Sequence, residues 1–255
     1  MVGWTRVLGL ALLLPGVLKA ADDRVFELRT YVTNEGKLPD LLTRFRDHTC
    51  ALFAKHGMVN VGYWVPMDEA AGSANTLVYL LAHESRDAAK VSWKGFGADP
   101  DWQKARQASE EKGKILAKAP EAVFLRMSDF SPALPSPGAG GDRVFELRTY
   151  HTPPGKLEAL HARFRDHTLG LFSKHGMTHI GYWNPMAGEK GAGDTLVYLL
   201  AHDSRDAAAR SFAAFRSDPD WIAAKTASEK GGSLTKQPGG VESLFLKATD
   251  FSPLK

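Results

Sequence analysis

Hydrophobic and polar positions change their period along this chain in a fixed order. Residues 24–32 alternate, with Phe26, Leu28 and Thr30 on one side and Glu27, Arg29 and Tyr31 on the other, which predicts a strand. Asn34-Glu35-Gly36 reads as a turn. From Lys37 the apolar positions Leu38, Leu41, Leu42, Phe45, Leu52 and Phe53 fall at helical spacing. Gly57 supplies a left-handed cap to that helix, with Met58 beyond it for the accompanying apolar contact. Residues 59–65 and 76–82 carry enough β-branched and aromatic side chains for two strands joined by a Pro/Gly-containing loop. Ser85 caps a second helix carrying Ala88, Ala89 and Phe96, and Asp99-Pro100 restarts helix with Asp as N-cap. A last strand at roughly 122–128 completes the order βαββαβ. That order predicts a ferredoxin-like module, a four-stranded antiparallel sheet with its helices on one face.

The whole pattern occurs twice. Arg24 to Tyr31 returns unchanged as Arg143 to Tyr150, and 55 of the 93 positions from 24 to 116 are identical in the second copy, which establishes a duplication. The predicted organisation is a first module at 22–130, a Pro/Gly/Ser linker at 131–142 and a second module at 143–255. The uncovered face of each sheet needs a partner. The two modules are therefore expected to pack sheet to sheet as an intramolecular α+β barrel with helices outside. Further oligomerisation is compatible with this arrangement.

The blocks Phe-Glu-Leu-Arg-Thr-Tyr, Phe-Arg-Asp-His, Lys-His-Gly, Gly-Tyr-Trp and Asp-Pro-Asp-Trp, in that order in each copy, resemble the NIPSNAP family. The resemblance covers nearly all of both modules and implies the dimeric α+β-barrel superfamily. Other branches of that superfamily include small monooxygenases, haem-degrading enzymes and chlorite dismutase-like haem proteins. The resemblance thus implies a small-molecule site, with monooxygenase-like or haem-related chemistry in view, and leaves enzyme activity open. The other reading is a non-enzymatic scaffold that presents its helices to a protein partner.

Composition narrows the partners. With 32 basic and 29 acidic residues and no basic run, the chain gives no sign of binding nucleic acid. Residues 1–21 read as a signal peptide, with Arg6 before an apolar run and small residues Ala20 and Ala21 at the cleavage position. That run, about twelve residues, is short of the roughly twenty of a membrane span. The expectation is a secreted or periplasmic protein, or one anchored by an uncleaved N-terminus. Cys50 stands alone and matches Leu169 in the second copy, so it reads as a packing residue.

Two sets of residues carry candidate chemistry. Glu27, Arg29 and Tyr31, with Glu146, Arg148 and Tyr150, share one strand face. If Phe26 and Leu28 face the helices, these six side chains meet between the two sheets. There they either pair and fix the register or line a polar ligand pocket. His48 and His167 fall at helical spacing with Leu41, Phe45 and Leu52 and their counterparts, and so on the apolar helix face. Each reads as a satisfied core histidine or as an acid/base or ligand group in a helix–sheet pocket. His56 and His175 sit at helix C-termini, and His83 and His202 read as loop or cap residues. No histidine pair has metal-ligand spacing, so no metal site is read from sequence neighbours. Tyr63-Trp64, Trp102 and Trp221 read as packing anchors.

Overall fold

A computed structural model describes residues 22–138 and 141–255; the predicted signal peptide lies outside them. The first module runs β1 (Val25–Val32), α1 (Leu38–Arg44), α2 (Cys50–Lys55), β2 (Val59–Pro66), β3 (Thr76–His83), α3 (Arg86–Ala98), α4 (Pro100–Ser109) and β4 (Glu121–Met127). The second repeats it as β5 (Val144–His151), α5 (Leu157–Arg163), α6 (Leu169–Lys174), β6 (Thr178–Pro185), β7 (Thr195–His202), α7 (Arg205–Ser217), α8 (Pro219–Ser228) and β8 (Val241–Ala248). Local chemistry sets the helix ends. Ser85 and Ser204 accept from the Ala88 and Ala207 amides at the N-termini of α3 and α7. Asp99 and Asp218 do the same for Asp101 and Asp220 before the prolines that open α4 and α8.

Each module is an antiparallel sheet in the order β4-β1-β3-β2, and its copy is β6-β7-β5-β8 read from the other edge. Strand β2 pairs with β8 and β4 with β6, so the two sheets close into one eight-stranded barrel with no free edge. Its interior is apolar. Phe26, Trp64, Leu80 and Leu125 meet Phe145, Trp183, Leu199 and Leu246, with Leu28 and Leu147 packed against them. Two further apolar clusters lie between the outer faces of the sheets and the helices, one in each module. Strands β3 and β7 are covered on both faces, and all eight residues of each are buried.

This arrangement reverses one expectation. Phe26 and Leu28 point into the barrel, and Glu27, Arg29 and Tyr31 lie beneath the helices; the second copy does the same. Alternation fixes which residues share a face and cannot say which face the helices take. The closed interior decides it, because a space shared by two sheets offers no water or helix terminus to a carboxylate.

The modules exchange their ends. Asp250 pairs with Arg46 and Asp129 with Arg165, while the Ser252 and Ser131 hydroxyls accept from the Tyr63 and Tyr182 amides of the opposite module. Ser131, at the start of the predicted linker, is thus already part of the second module's wall. Arg205 with Asp68 and Arg86 with Glu189 tie the helices to the opposite module's loops. Such exposed pairs contribute little stability singly and mainly select this docking.

The Gly-Tyr-Trp block has a steric origin. The Trp64 and Trp183 rings fold back over Gly62 and Gly181, at the register shift in β2 and β6. A Cβ at Gly181 would stand 2.5 Å from Trp183 Cη2. Gly181→Ala is therefore expected to destabilise the chain by about 1–3 kcal/mol through overpacking. Gly170→Ala, in α6 with open space around it, should be neutral or stabilising. Urea unfolding of the two variants checks this; equal effects would contradict the steric account.

Candidate functional site

Beneath the helices of each module a buried carboxylate gathers donors. Glu27 accepts from Arg29 Nη1 at 2.5 Å, His83 Nε2 at 2.9 Å and Trp93 Nε1 at 2.8 Å. Glu146 accepts from Arg148 Nη1 at 2.5 Å, His202 Nε2 at 3.1 Å and Ser243 Oγ at 2.5 Å. Both glutamates are 1% exposed, so a carboxylate there is tenable only with such a full set of partners. A carboxylate only accepts, which assigns the proton of each histidine to Nε2. Burial alone would raise the Glu146 carboxyl. The hydrogen bond from His202, the Arg148 charge and the Ser243 hydroxyl outweigh it and hold the group below its ordinary value. Glu27 is lowered in the same way against burial, by His83, Arg29 and Trp93. The strand-end histidines, which the sequence reads as loop or cap residues, are thus part of the site. Residue 83 continues the outward alternation of Tyr79 and Leu81, and that is the signal that could have found it.

A second arginine from the first helix of each module joins this layer. Arg163 is 5% exposed, bonds Glu229 at 2.8 Å and lies 5.1 Å from the Trp221 ring centre; Arg44 sits likewise over Trp102, near Glu110. Neither arginine stands out in the sequence. Their recurrence between the core positions Leu41 and Phe45, and Leu160 and Phe164, was the available sign.

In the second module these groups face a cavity of about 300 Å³. Arg148, Arg163, Arg216 and Lys225 contribute to its wall, with Phe212 and Trp221 among the aromatic side chains that complete it. Arg148 reaches the Tyr150 hydroxyl with Nη2 at 3.3 Å and lies 4.6 Å from the Phe212 ring centre. The Nε atoms of Arg148 and Arg163 are buried without hydrogen-bond partners. The cationic groups of this wall outnumber the carboxylates, Glu229 on the wall and Glu146 behind Arg148.

His48 and His167 are exposed and border open outer grooves, His48 beside Arg44 and Lys112, His167 beside Lys174 and Asp220. The expectation that they lie on the apolar helix face fails for an identifiable reason. Residues 45–49 and 164–168 form one π-helical turn each, with the Cys50 and Leu169 amides bonded to the carbonyls five residues back. The wider turn brings Thr49 and Thr168 inward, their hydroxyls on the Arg44 and Arg163 carbonyls, and turns the histidines out. His56 and His175 bond Asp99 and Asp218 at 2.7 Å and anchor the helix starts there. Burial pushes the Cys50 thiol up to about 11. Among the described residues no group of three or more His, Cys, Asp or Glu could hold a metal ion.

The haem that the superfamily resemblance implies can be tested against this donor set. No imidazole, thiolate or thioether lines the cavity, and its one phenol, Tyr150, already engages Arg148. These residues do not form a haem site.

An eight-stranded antiparallel barrel of two ferredoxin-like sheets with helices outside defines the dimeric α+β-barrel class. The NIPSNAP family profile matches residues 26–132 and again residues 145–253, so the chain belongs to the NIPSNAP family as a tandem pair. It is 26% identical over 140 residues to the "Protein NipSnap homolog" of Dictyostelium discoideum. That match covers 54% of this chain and 53% of the relative; the chain spans about half the length of the curated relative it matches. Two bacterial structures described as "putative monooxygenase" share the fold. The Fusobacterium nucleatum protein has a TM-score of 0.57 at 9% identity, covering 89% of this chain and 92% of that one. The Lactobacillus acidophilus protein has a TM-score of 0.55 at 12% identity, covering 89% and 94%. At these identities the likeness is one of fold.

The glutamates link this site to acid stability. In the unfolded chain each carboxyl takes its proton near the ordinary 4.5, and in the fold at a lower pH. Their contribution is therefore complete above pH 4.5 and is lost as pH falls through the lower folded values. Glu146→Gln should cost roughly 3 kcal/mol at neutral pH by leaving the partly buried Arg148 short of its counter-charge, and should flatten the acid limb. Urea unfolding as a function of pH tests this; an acid limb as steep as that of the parent protein would contradict it.

Proposed function

We propose that this protein binds a small anionic organic molecule in its helix–sheet pocket, and that the cavity at Arg148 and Arg163 is the site. The observation that carries this reading is the charge balance of an otherwise aromatic wall. Buried Arg163 and partly buried Arg148, together with Arg216 and Lys225, border a partly open volume whose carboxylates, Glu229 on the wall and Glu146 behind Arg148, are too few to neutralise them. Such a wall favours an anion electrostatically, while the aromatic rings supply apolar contact for the body that carries it. The volume, about 300 Å³, is at the lower end of what ligand pockets occupy. The shared fold of proteins described as monooxygenases agrees with an organic ligand. Export, expected from residues 1–21, belongs to the same proposal and puts the ligand outside the cytoplasm.

The space between the sheets does not serve this role, being packed with Trp64, Trp183 and aliphatic side chains. The scaffold reading requires a continuous apolar or charged helical surface. The exposed large apolar side chains among the described residues, Val59, Val91, Ile222 and Val241, sit on four different elements. No described helix is long and apolar enough to cross a membrane.

Calorimetry with benzoate, phenyl phosphate and branched-chain carboxylates against their neutral amides and alcohols tests the proposal. Acids should bind at least about tenfold more tightly than neutral counterparts, a difference of ~1.4 kcal/mol, and more weakly at high salt. Equal binding of acids and amides, or binding of neither, would overturn it.

A further inference from the structure

The two copies keep the Glu–Arg–His set intact but differ where the cavity opens. Trp93 of α3 corresponds to Phe212 of α7, Gly97 to Arg216, and Leu116 to Thr235. In the first module the indole of Trp93 donates to Glu27 at 2.8 Å, lies against Arg29 at 4.3 Å and packs on Phe53 and Phe96. In the second the smaller Phe212 ring cannot donate, and Ser243, on the neighbouring strand β8, supplies the third hydrogen bond to the glutamate. The smaller ring still lies against Arg148, and the cavity opens beside the pair. Arg216 and Thr235 then bring a cation and a hydroxyl to the same wall, where the first module has a glycine and a leucine. In the first module the second arginine, Arg44, borders a groove beside His48, whereas Arg163 borders the cavity that Arg148 and Phe212 also line.

From these substitutions we infer that the copies have divided the work. The second module takes the ligand, one per chain, and the first module gives the equivalent space to the Trp93 indole and serves as the other half of the barrel. The ligand is an anion carried on an apolar body. Its charged group lies toward Arg216 and Lys225 and its body against Phe212 and Trp221. The inference rests on the proposed anion-binding function and adds which copy performs it and why.

Thiol labelling of the full chain tests this without a known ligand. Cys50→Leu, matching Leu169, removes the native thiol, and Thr235→Cys or Leu116→Cys places one thiol at equivalent points of the two modules. The probes are iodoacetate, which is anionic, and iodoacetamide, its neutral counterpart; the ratio of their rates cancels differences in thiolate fraction. A cleft lined by one sign of charge raises encounter with the opposite charge by about tenfold or more. The ratio for Thr235→Cys should therefore exceed that of the same thiol in urea by roughly this factor, and adding Phe212→Trp should abolish the excess. Leu116→Cys should show no excess, and Trp93→Phe combined with Gly97→Arg should create one. Cooperative thermal unfolding confirms that each variant folds, and Val241→Cys, also on the cavity wall, replaces Thr235→Cys if that variant does not. An equal excess in both modules would overturn the division of labour and leave anion binding standing. An excess in neither would overturn both.

Discussion

The closed apolar barrel is the constraint from which the rest of this structure follows. Two sheets share one interior, and that interior is filled by side chains contributed about equally by both modules, with Trp64 over Gly62 and Trp183 over Gly181 as its largest pieces. Such a space cannot solvate an ion. Every charged residue of β1 and β5 is therefore turned outward, where helices cover it. The exchanged Asp-Phe-Ser-Pro ends and the strand pairs β2–β8 and β4–β6 make each module the lid of the other.

Turning Glu27 and Glu146 toward the helices creates a second requirement. A carboxylate that is nearly fully buried needs donors from several directions, and they arrive from three elements: arginine two residues along the same strand, histidine at the end of the neighbouring strand, and a third donor that differs between copies. Holding the glutamate ionised keeps the arginine in place. The arginine in turn fixes the aromatic rings around it, Trp93 in one copy and Phe212 in the other. With Ser243 as the third donor, the glutamate of the second module is satisfied without an indole on α7. The cavity opens beside Phe212, the residue that stands in place of the indole.

Much of the fold was legible from residue spacing. Period-two alternation at 24–32, the serine and Asp-Pro caps before α3 and α4, and the recurrence of every block fixed the element order, the duplication and the sheet-to-sheet packing. Two features were not legible, and both concern direction. Alternation groups Glu27, Arg29 and Tyr31 correctly but does not contain the information that the other face closes a barrel. Helical spacing places His48 with Phe45 and Leu52 only if every turn is α-helical, and the π turn at 45–49 breaks that premise. The candidate site was legible in Glu27, Arg29, Tyr31 and their counterparts, and not in the strand-end histidines, Ser243 or the helical residues. Arg44, Arg163 and Phe212 matter through what they face across the fold, and a single sequence gives no measure of that.

The central claim is that ionic groups excluded from the barrel form an anion-selective pocket beneath the helices of the second module. A co-crystal structure with phenyl phosphate addresses it most directly. The account predicts one molecule per chain, its phosphate against Arg216 and Lys225 and its ring beside Phe212 and Trp221, with the barrel interior unchanged. A ligand between the two sheets, or equal occupancy beneath the helices of both modules, would contradict it.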